Sequence, residues 1–233
     1  MASRNYITCL LSTIHDPQGK MYEPIKCLLP RLLDIYDNVA ISITNKTHLS
    51  IIDAIGIYGS VGPTAGIANG RRRVLELGLK SNADYFHYCD FDRILFWVAH
   101  FPKQLWHTIN DTKGIDKMVI LERSNEAWRS HPLLQRLTEW VINCRYSNGK
   151  YTDYLTGSRI IPRPMVEMIL AKSKVTNGAT LDVEWPLIIE LNNLLYLKVD
   201  GLAYEHKYLG LQKPFIQEVK TRVDNMVSAL WRI

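Results

Sequence analysis

Ala83-Asp84-Tyr85-Phe86-His87-Tyr88-Cys89-Asp90-Phe91-Asp92 is a run of bulky, mostly apolar side chains that ends in two carboxylates one residue apart. Tyr85 to Cys89 have the aromatic content of a buried strand. If extended geometry carries on past the strand end, Asp90 and Asp92 point the same way, because side chains alternate along a strand. Two acids on one side can share a divalent ion. In an open α/β sheet ligands collect outside the carboxyl ends of the strands, so a nucleotide diphosphate and its Mg²⁺ or Mn²⁺ are expected here. The plainer reading makes Asp90 the N-cap of a helix starting near Arg93 and Asp92 a favourable charge in its first turn.

Around this stretch, short apolar runs alternate with helix-length periodic segments, the pattern of a sheet between helices. Strands are predicted near Tyr6 to Leu11, Val39 to Thr44, Ile55 to Tyr58, Asp84 to Cys89, Lys117 to Leu121, Ser158 to Ile161 and Leu194 to Val199. Between them, Ile25, Leu28, Leu29, Leu32 and Leu33 recur at helical spacing, as do Leu133, Leu134, Leu137, Val141 and Ile142, and these faces are expected to be core. Ile216, Val219, Val223, Met226, Val227 and Leu230 give an amphipathic helix over about 214–233. Its stripe is expected on the protein's own sheet layer or on a second subunit, with a membrane-surface helix, Trp231 at the interface, as the sharper alternative. No repeat or Pro/Gly-rich linker divides the chain, so residues 1–233 read as one domain.

With 233 residues, 47% hydrophobic and 22% charged, the chain can bury a full core. Cys9, Cys27, Cys89 and Cys144 lack the paired spacing of a zinc or redox motif, and reduced thiols in the cytoplasm are the expectation. The formal charge of +5 weakly favours anionic ligands. No nucleic-acid-binding motif accompanies it, so no nucleic acid partner is expected. No run is long enough to span a bilayer.

Ahead of the acidic strand stands Gly66-Ile67-Ala68-Asn69-Gly70-Arg71-Arg72-Arg73. Small residues allow a backbone to approach a ligand, and a guanidinium holds phosphate or carboxylate through paired hydrogen bonds. Consecutive helix positions point in different directions, so the three arginines cannot share one role, and Arg71 is favoured.

In these residues the chain resembles the nucleotide-sugar-dependent glycosyltransferases of the A-type fold, particularly the group related to family 2. There Gly-x-Ala-x-x-Arg, matched by Gly66, Ala68 and Arg71, precedes a strand ending in Asp-x-Asp, matched by Asp90 and Asp92. A later Glu-Asp pair opens a helix and its Asp is the base in inverting members. Thr180-Leu181-Asp182-Val183-Glu184-Trp185 takes that place, with Leu181 where the family has Glu. The resemblance implies one α/β domain with a mixed, mainly parallel sheet covered on both faces by helices. It also implies transfer of a sugar from a nucleotide-diphosphate donor to an acceptor with divalent-metal assistance.

Carried over residue by residue, the resemblance gives Asp182 as base, with Glu184 as a second acid two residues on. Asp92 and His206 would hold the metal, and Arg71 the diphosphate. Asp90 would meet the ribose or a metal-bound water, and Trp185 a sugar face. Thr13 and Asp16 sit where the fold receives the nucleotide, and Trp128, Arg129 and His131 could line the acceptor pocket. Each has a structural alternative: Asp182 to Pro186 is a serviceable helix start, and polar loop residues need no ligand. The chemistry gives an independent reason for grouping them, because negative charge builds on the departing diphosphate while an acceptor hydroxyl must lose its proton.

Rival classes fit less well. A dehalogenase-like phosphatase needs its acid after the first strand. A sugar nucleotidyltransferase needs a Gly-rich basic loop there, which Ser12 to Lys20 does not supply, and no Gly-x-Gly-x-x-Gly marks a dinucleotide site. An inactive A-type domain that binds a sugar nucleotide or a partner without turnover remains the non-enzymatic alternative.

Overall fold

The computed structural model describes residues 5–62, 67–147, 152–176, 178–204 and 215–231. The chain runs β1 (Thr8–Ile14), α1 (Tyr22–Leu33), β2 (Asn38–Thr44), α2 (Leu49–Ile55), β3 (Gly59–Gly62), α3 (Ile67–Leu79), β4 (Tyr85–Cys89), α4 (Phe91–His100) and α5 (Pro102–Asp111). It continues through β5 (Met118–Arg123), α6 (Asn125–Ser130), α7 (Leu133–Tyr146), β6 (Ser158–Pro162), α8 (Arg163–Lys172), α9 (Gly178–Ile189), β7 (Leu194–Val199) and α10 (Phe215–Trp231).

Among the described residues the strands form one seven-stranded sheet in the order β3-β2-β1-β4-β6-β5-β7. Every pairing is parallel except those of β6, which runs against both β4 and β5. The carboxyl ends of the other strands and the amino end of β6 therefore share one edge. From β1 the chain moves out to β2 and β3 and then returns to lay β4 on the other flank of β1. Such a reversal opens a crevice at that edge.

Alternation along the strands builds two apolar layers. On one face Leu10 and Ile14 join Ile25, Leu29 and Leu32 of α1 and Trp97 of α4. On the other, Cys9, Leu11, Phe86 and Tyr88 join Val74 and Leu75 of α3, Ile169 of α8 and Trp185 of α9. Burial of this kind contributes roughly 25 cal/mol per Å² of apolar surface and holds the edge that carries the site.

Four expectations change. Ile55 to Tyr58 is not a strand: Ile51 and Ile55 are both buried on one face of α2, and Gly56, at φ 57°, ends that helix before β3. Helix α9 starts four residues before Asp182 and carries Pro186 inside it, since Leu181, Val183 and Trp185 are all buried and packing overrides proline's preference for a first turn. Helix α7 buries only part of the expected stripe: Ile142 is core and Leu134 half-buried, but the rest of it faces outward. Leu133, Leu137 and Val141 are 62%, 54% and 37% exposed, while Gln135, Glu139 and Asn143 are buried at spacings of four. The cause is Arg123, a buried guanidinium that needs polar partners from that helix. Finally, α10 rests on α7 and α9 rather than on the sheet, with the Tyr146 hydroxyl donating to the Ala229 carbonyl at 2.5 Å. No helix among the described residues is long and apolar enough to cross a membrane.

Candidate active site

Strand β4 stops at Cys89, and Asp90, at φ −58° and ψ 137°, is the N-cap of α4. Asp92 therefore lies in the first helical turn, and the extended Asp-x-Asp geometry expected from sequence is replaced by a cap and a helical residue. An N-cap aspartate ordinarily accepts a hydrogen bond from the second or third helical N–H. Asp90 makes no such bond. Its carboxylate accepts instead from Arg71 Nη2 at 3.1 Å and from the Tyr88 hydroxyl at 2.9 Å, with Arg93 Nε 3.8 Å away. Burial alone would raise its pKa, but Arg71, Arg93 and the Tyr88 hydrogen bond outweigh burial and hold it below the usual carboxylate value. Gly157 faces this carboxylate at φ 64°, and a Cβ there would stand 2.5 Å from Asp90 Oδ2.

Of the three consecutive arginines in α3, Arg71 alone reaches Asp90 and Asp182. Arg72 binds Ser173 and the Val175 carbonyl, and Arg73 binds Ser60 and the Val61 carbonyl. Arg71 is buried over the Tyr88 ring and also pairs with Asp182 through Nη1 at 2.8 Å. Its guanidinium thus lies between two carboxylates rather than facing open space.

Asp182 is itself shared. Arg159, from β6, places Nη2 2.6 Å from the same Oδ1 atom and stacks on Trp185 at 5.3 Å. Burial holds the Arg159 pKa below its usual value against the pull of Asp182. The chain Arg159–Asp182–Arg71–Asp90 is one continuous ion network at the junction of β4, β6, α3 and α9. Arg159 was not foreseen, although a lone charge in the apolar strand Ser158–Pro162 was a visible signal.

Three residues take places other than those expected of them. Trp185 is 1% exposed, edge-on to Tyr88 at 5.5 Å, so it is core wall and offers no face to a sugar. Glu184 accepts from Ser173 Oγ at 2.5 Å and from the Lys174 and Val175 amides at 2.8 and 3.2 Å, which ties down the segment after α8. Asp16 accepts from the Met21 and Gln18 amides at 2.8 and 3.3 Å, closing the turn into α1 in place of holding a nucleotide. Thr13 stays half-buried at the carboxyl end of β1, alongside Gly70 of α3.

Asp92 accepts from the Arg93 amide at 3.0 Å through Oδ1. Burial and the neighbouring charge of Asp90 raise its pKa. Among the described residues no three His, Cys, Asp or Glu side chains group as a metal site, and His206 lies outside the described residues, as does Gly66. Two carboxylates nevertheless suit Mg²⁺ or Mn²⁺, hard cations that are commonly held by one or two carboxylates together with substrate phosphates. The raised pKa of Asp92 marks a place where added positive charge is favourable.

A second polar network adjoins the first. Arg123, at the end of β5, is held by Asp153 through Nε and Nη2, both at 2.7 Å, and by Glu139 at 2.6 Å, and it stacks on Trp128 at 4.4 Å. The turn from Asp153 to Gly157 joins the networks: Asp153 holds Arg123, the Thr156 carbonyl accepts from Arg93, and the Gly157 carbonyl accepts from the Asp90 amide. His131 is buried there, hydrogen-bonded to the Leu202 carbonyl. Its pKa is lowered to about 2 by burial, then by Arg123 and Arg93.

No family model matches the chain, and no curated protein matches it in sequence. Solved structures do match. Glucosyl-3-phosphoglycerate synthase from Mycobacterium tuberculosis, in complex with Mn²⁺, UDP-glucose and glycerol 3-phosphate, aligns with a TM-score of 0.59 at 13% identity, covering 97% of this chain and 79% of that one. The same enzyme with UDP gives 0.56 at 12% identity, covering 97% and 80%, and a further mycobacterial protein gives 0.57 at 14% identity, covering 97% and 75%. At these identities the likeness shows the fold: an α/β chain with a mixed, mainly parallel sheet between helices, similar to that of a GT-A glycosyltransferase.

Proposed function

We propose that the chain is a glycosyltransferase of the family-2-like kind. It takes its sugar from a nucleotide-diphosphate donor bound where β1 and β4 separate. The observation that carries this reading is Asp90, which forgoes the capping bond of α4 and is held by Arg71 and Tyr88 at the ligand-binding edge of the sheet. A cap sacrificed costs about 1 kcal/mol, a loss consistent with use of the carboxylate elsewhere.

A divalent ion would be held by Asp92 and, by resemblance, His206, with Asp90 meeting the ribose or a metal-bound water, and it would supply positive charge against the departing diphosphate. Arg71 acts as a positioning residue that fixes Asp90 relative to Asp182. Thr13 stands at the β1 end, where the nucleotide is received. Both guanidiniums converge on Asp182 Oδ1, so a proton taken from an acceptor hydroxyl goes to Oδ2.

The same network favours a second reading, a sugar-nucleotide-binding domain without turnover, because Asp182 and Glu184 are both committed to internal bonds. Release of nucleoside diphosphate separates the two. UDP- and GDP-sugars are incubated with Mn²⁺ and a panel of glycoside acceptors, and nucleotide binding is measured alongside. Release from one donor that is lost in Asp90→Asn supports the transferase, and binding with no release from any donor supports the inactive domain.

A further inference from the structure

The two outer strands of the sheet are finished differently. β3 is four residues long with glycine at both ends, and Arg73 covers it by donating to the Val61 carbonyl and the Ser60 hydroxyl. Short, covered edges of this kind keep another strand from adding. β7, at the opposite side of the sheet, is neither short nor covered among the described residues. It runs six residues, Leu194 to Val199, without glycine or proline, and stays in register with β5 throughout. Leu195, Tyr196 and Leu197 are 39%, 38% and 38% exposed, which leaves apolar surface on both faces of an open edge. Its one charge, Lys198, shares a cavity with Glu122 near the carboxyl end of the strand.

The backbone decides how a strand can add to this edge. The Val199 carbonyl accepts from the Ser124 amide, just past β5, so Val199 points its backbone groups toward β5. These directions alternate along a strand. Leu195 and Leu197 therefore face β5 as well, whereas Leu194, Tyr196 and Lys198 face outward, where no strand of the described residues meets them. The Leu194 amide is already taken by the Leu191 carbonyl. What remains is an acceptor at Leu194 and a donor and an acceptor at both Tyr196 and Lys198, a set complementary to itself. With two copies antiparallel about a two-fold axis at Tyr196, each Tyr196 exchanges both bonds with its equivalent, and each Lys198 amide donates to the Leu194 carbonyl of the second copy. The side chains agree with that register. Leu195 then faces Leu197 of the second copy as a non-hydrogen-bonded pair, the closer kind at about 4.5 Å between Cα atoms, and Tyr196 faces its equivalent on the other side of the sheet. The two Lys198 residues, four positions apart in the paired ladder, stand about 13 Å from each other, beyond the screening length of about 8 Å at physiological salt.

We infer that β7 is a self-association edge, and that a second copy of this chain lays its own β7 antiparallel against it, joining the two sheets into one. Antiparallel joining turns the carboxyl edges of the two sheets in opposite directions, so both candidate sites stay open. The inference is independent of the function proposed above. A single strand pair is a small interface, and those under about 1,200 Å² associate weakly and reversibly, so a monomer–dimer equilibrium in the micromolar range is expected.

Sedimentation equilibrium of the full chain from about 1 to 200 µM tests it, with the average mass expected to rise toward twice that of one chain. Two double variants at these exposed positions test the register. Leu195→Lys with Leu197→Lys sets like charges opposite each other across the two-fold, whereas Leu195→Lys with Leu197→Glu sets opposite charges there. The first should associate at least tenfold more weakly than the second. Tyr196→Pro removes an outward N–H and leaves every bond to β5 in place, a position where an edge strand tolerates proline, and it should abolish the dimer with far-UV circular dichroism unchanged. A parent chain that stays monomeric at about 200 µM overturns the inference. So does a dimer that persists undiminished in Tyr196→Pro, or equal association of the two double variants.

Discussion

Replacing Asp182 by Asn distinguishes a proton acceptor that happens to be buried from a residue on which the fold depends. Asp182 is 6% exposed and joins two guanidiniums through one oxygen, at 2.6 Å to Arg159 and 2.8 Å to Arg71. Asn keeps the shape and loses the charge. Arg71 still has Asp90, but Arg159 is then left with two carbonyls, those of residue 182 and Tyr154, at 3.3 and 3.4 Å. Removing one partner of a buried ion pair costs about 3–5 kcal/mol, and the amide oxygen can still accept one N–H, so about 3 kcal/mol is the figure to expect. In a chain of this size that lowers Tm by about 6–12 °C. Urea denaturation and calorimetric melting measure it directly. A second variant, Arg159→Met, checks the cause: in the Asp182→Asn background it should recover part of the loss, because the stranded charge is gone. An Asp182→Asn protein that melts within about 2 °C of the parent refutes the argument and leaves Asp182 a free base.

Acid should destabilise the protein before its carboxylates titrate. His87, hydrogen-bonded to Tyr36 and Ser158, has its pKa lowered to about 3 by burial, and His131 stands at about 2, so the unfolded chain takes up protons that the folded one refuses as pH falls below about 6.5. Between pH 7.5 and 5.0 each histidine removes about 2 kcal/mol of stability, about 4 together, and a urea midpoint that stays constant over that range refutes it. Asp92→Asn should do the opposite. The folded protein raises the pKa of Asp92, so the ionised form is disfavoured above the ordinary carboxylate range, and the amide stabilises the metal-free protein at pH 7.5 but not at pH 4. Lower stability at pH 7.5 contradicts this. Glu184→Ala should cost about 1–3 kcal/mol by freeing the Lys174 and Val175 amides, with faster hydrogen exchange at 173–175 and turnover retained. Lost turnover with unchanged stability would instead restore a catalytic role.

The sequence was most informative where side chains answer to local geometry. Tyr85 to Cys89 form the central strand with the acid pair directly after it, and the angle between successive helical positions sends Arg71, Arg72 and Arg73 to different partners, Arg71 to Asp90 and Asp182. It was least informative where partners come from distant segments. Arg123 falls past the predicted end of its strand and Arg159 is the lone charge within an apolar one, and their carboxylates lie on α7, on the turn after it and on α9. The apolar repeat of α7 was borne out at Ile142 but not at Leu133, Leu137 and Val141, because a period reports that a helix has two faces, while the need to neutralise Arg123 turned Gln135, Glu139 and Asn143 inward. Gln135, Glu139 and Asn143, polar residues four apart, were the overlooked sign. Likewise, the local sequence around Asp16, Glu184 and Trp185 could not reveal that backbone amides and neighbouring rings had already taken them.

Calorimetric titration of UDP and GDP into the protein with Mn²⁺, with chelator, and in the Asp90→Asn variant tests the central claim most directly. The account predicts saturable binding of one nucleoside diphosphate with Mn²⁺ that weakens by at least about tenfold, or about 1.4 kcal/mol, both on chelation and in Asp90→Asn. Absence of binding by either nucleotide in every condition, or equal affinity in all three, contradicts a donor site at Asp90 and Asp92.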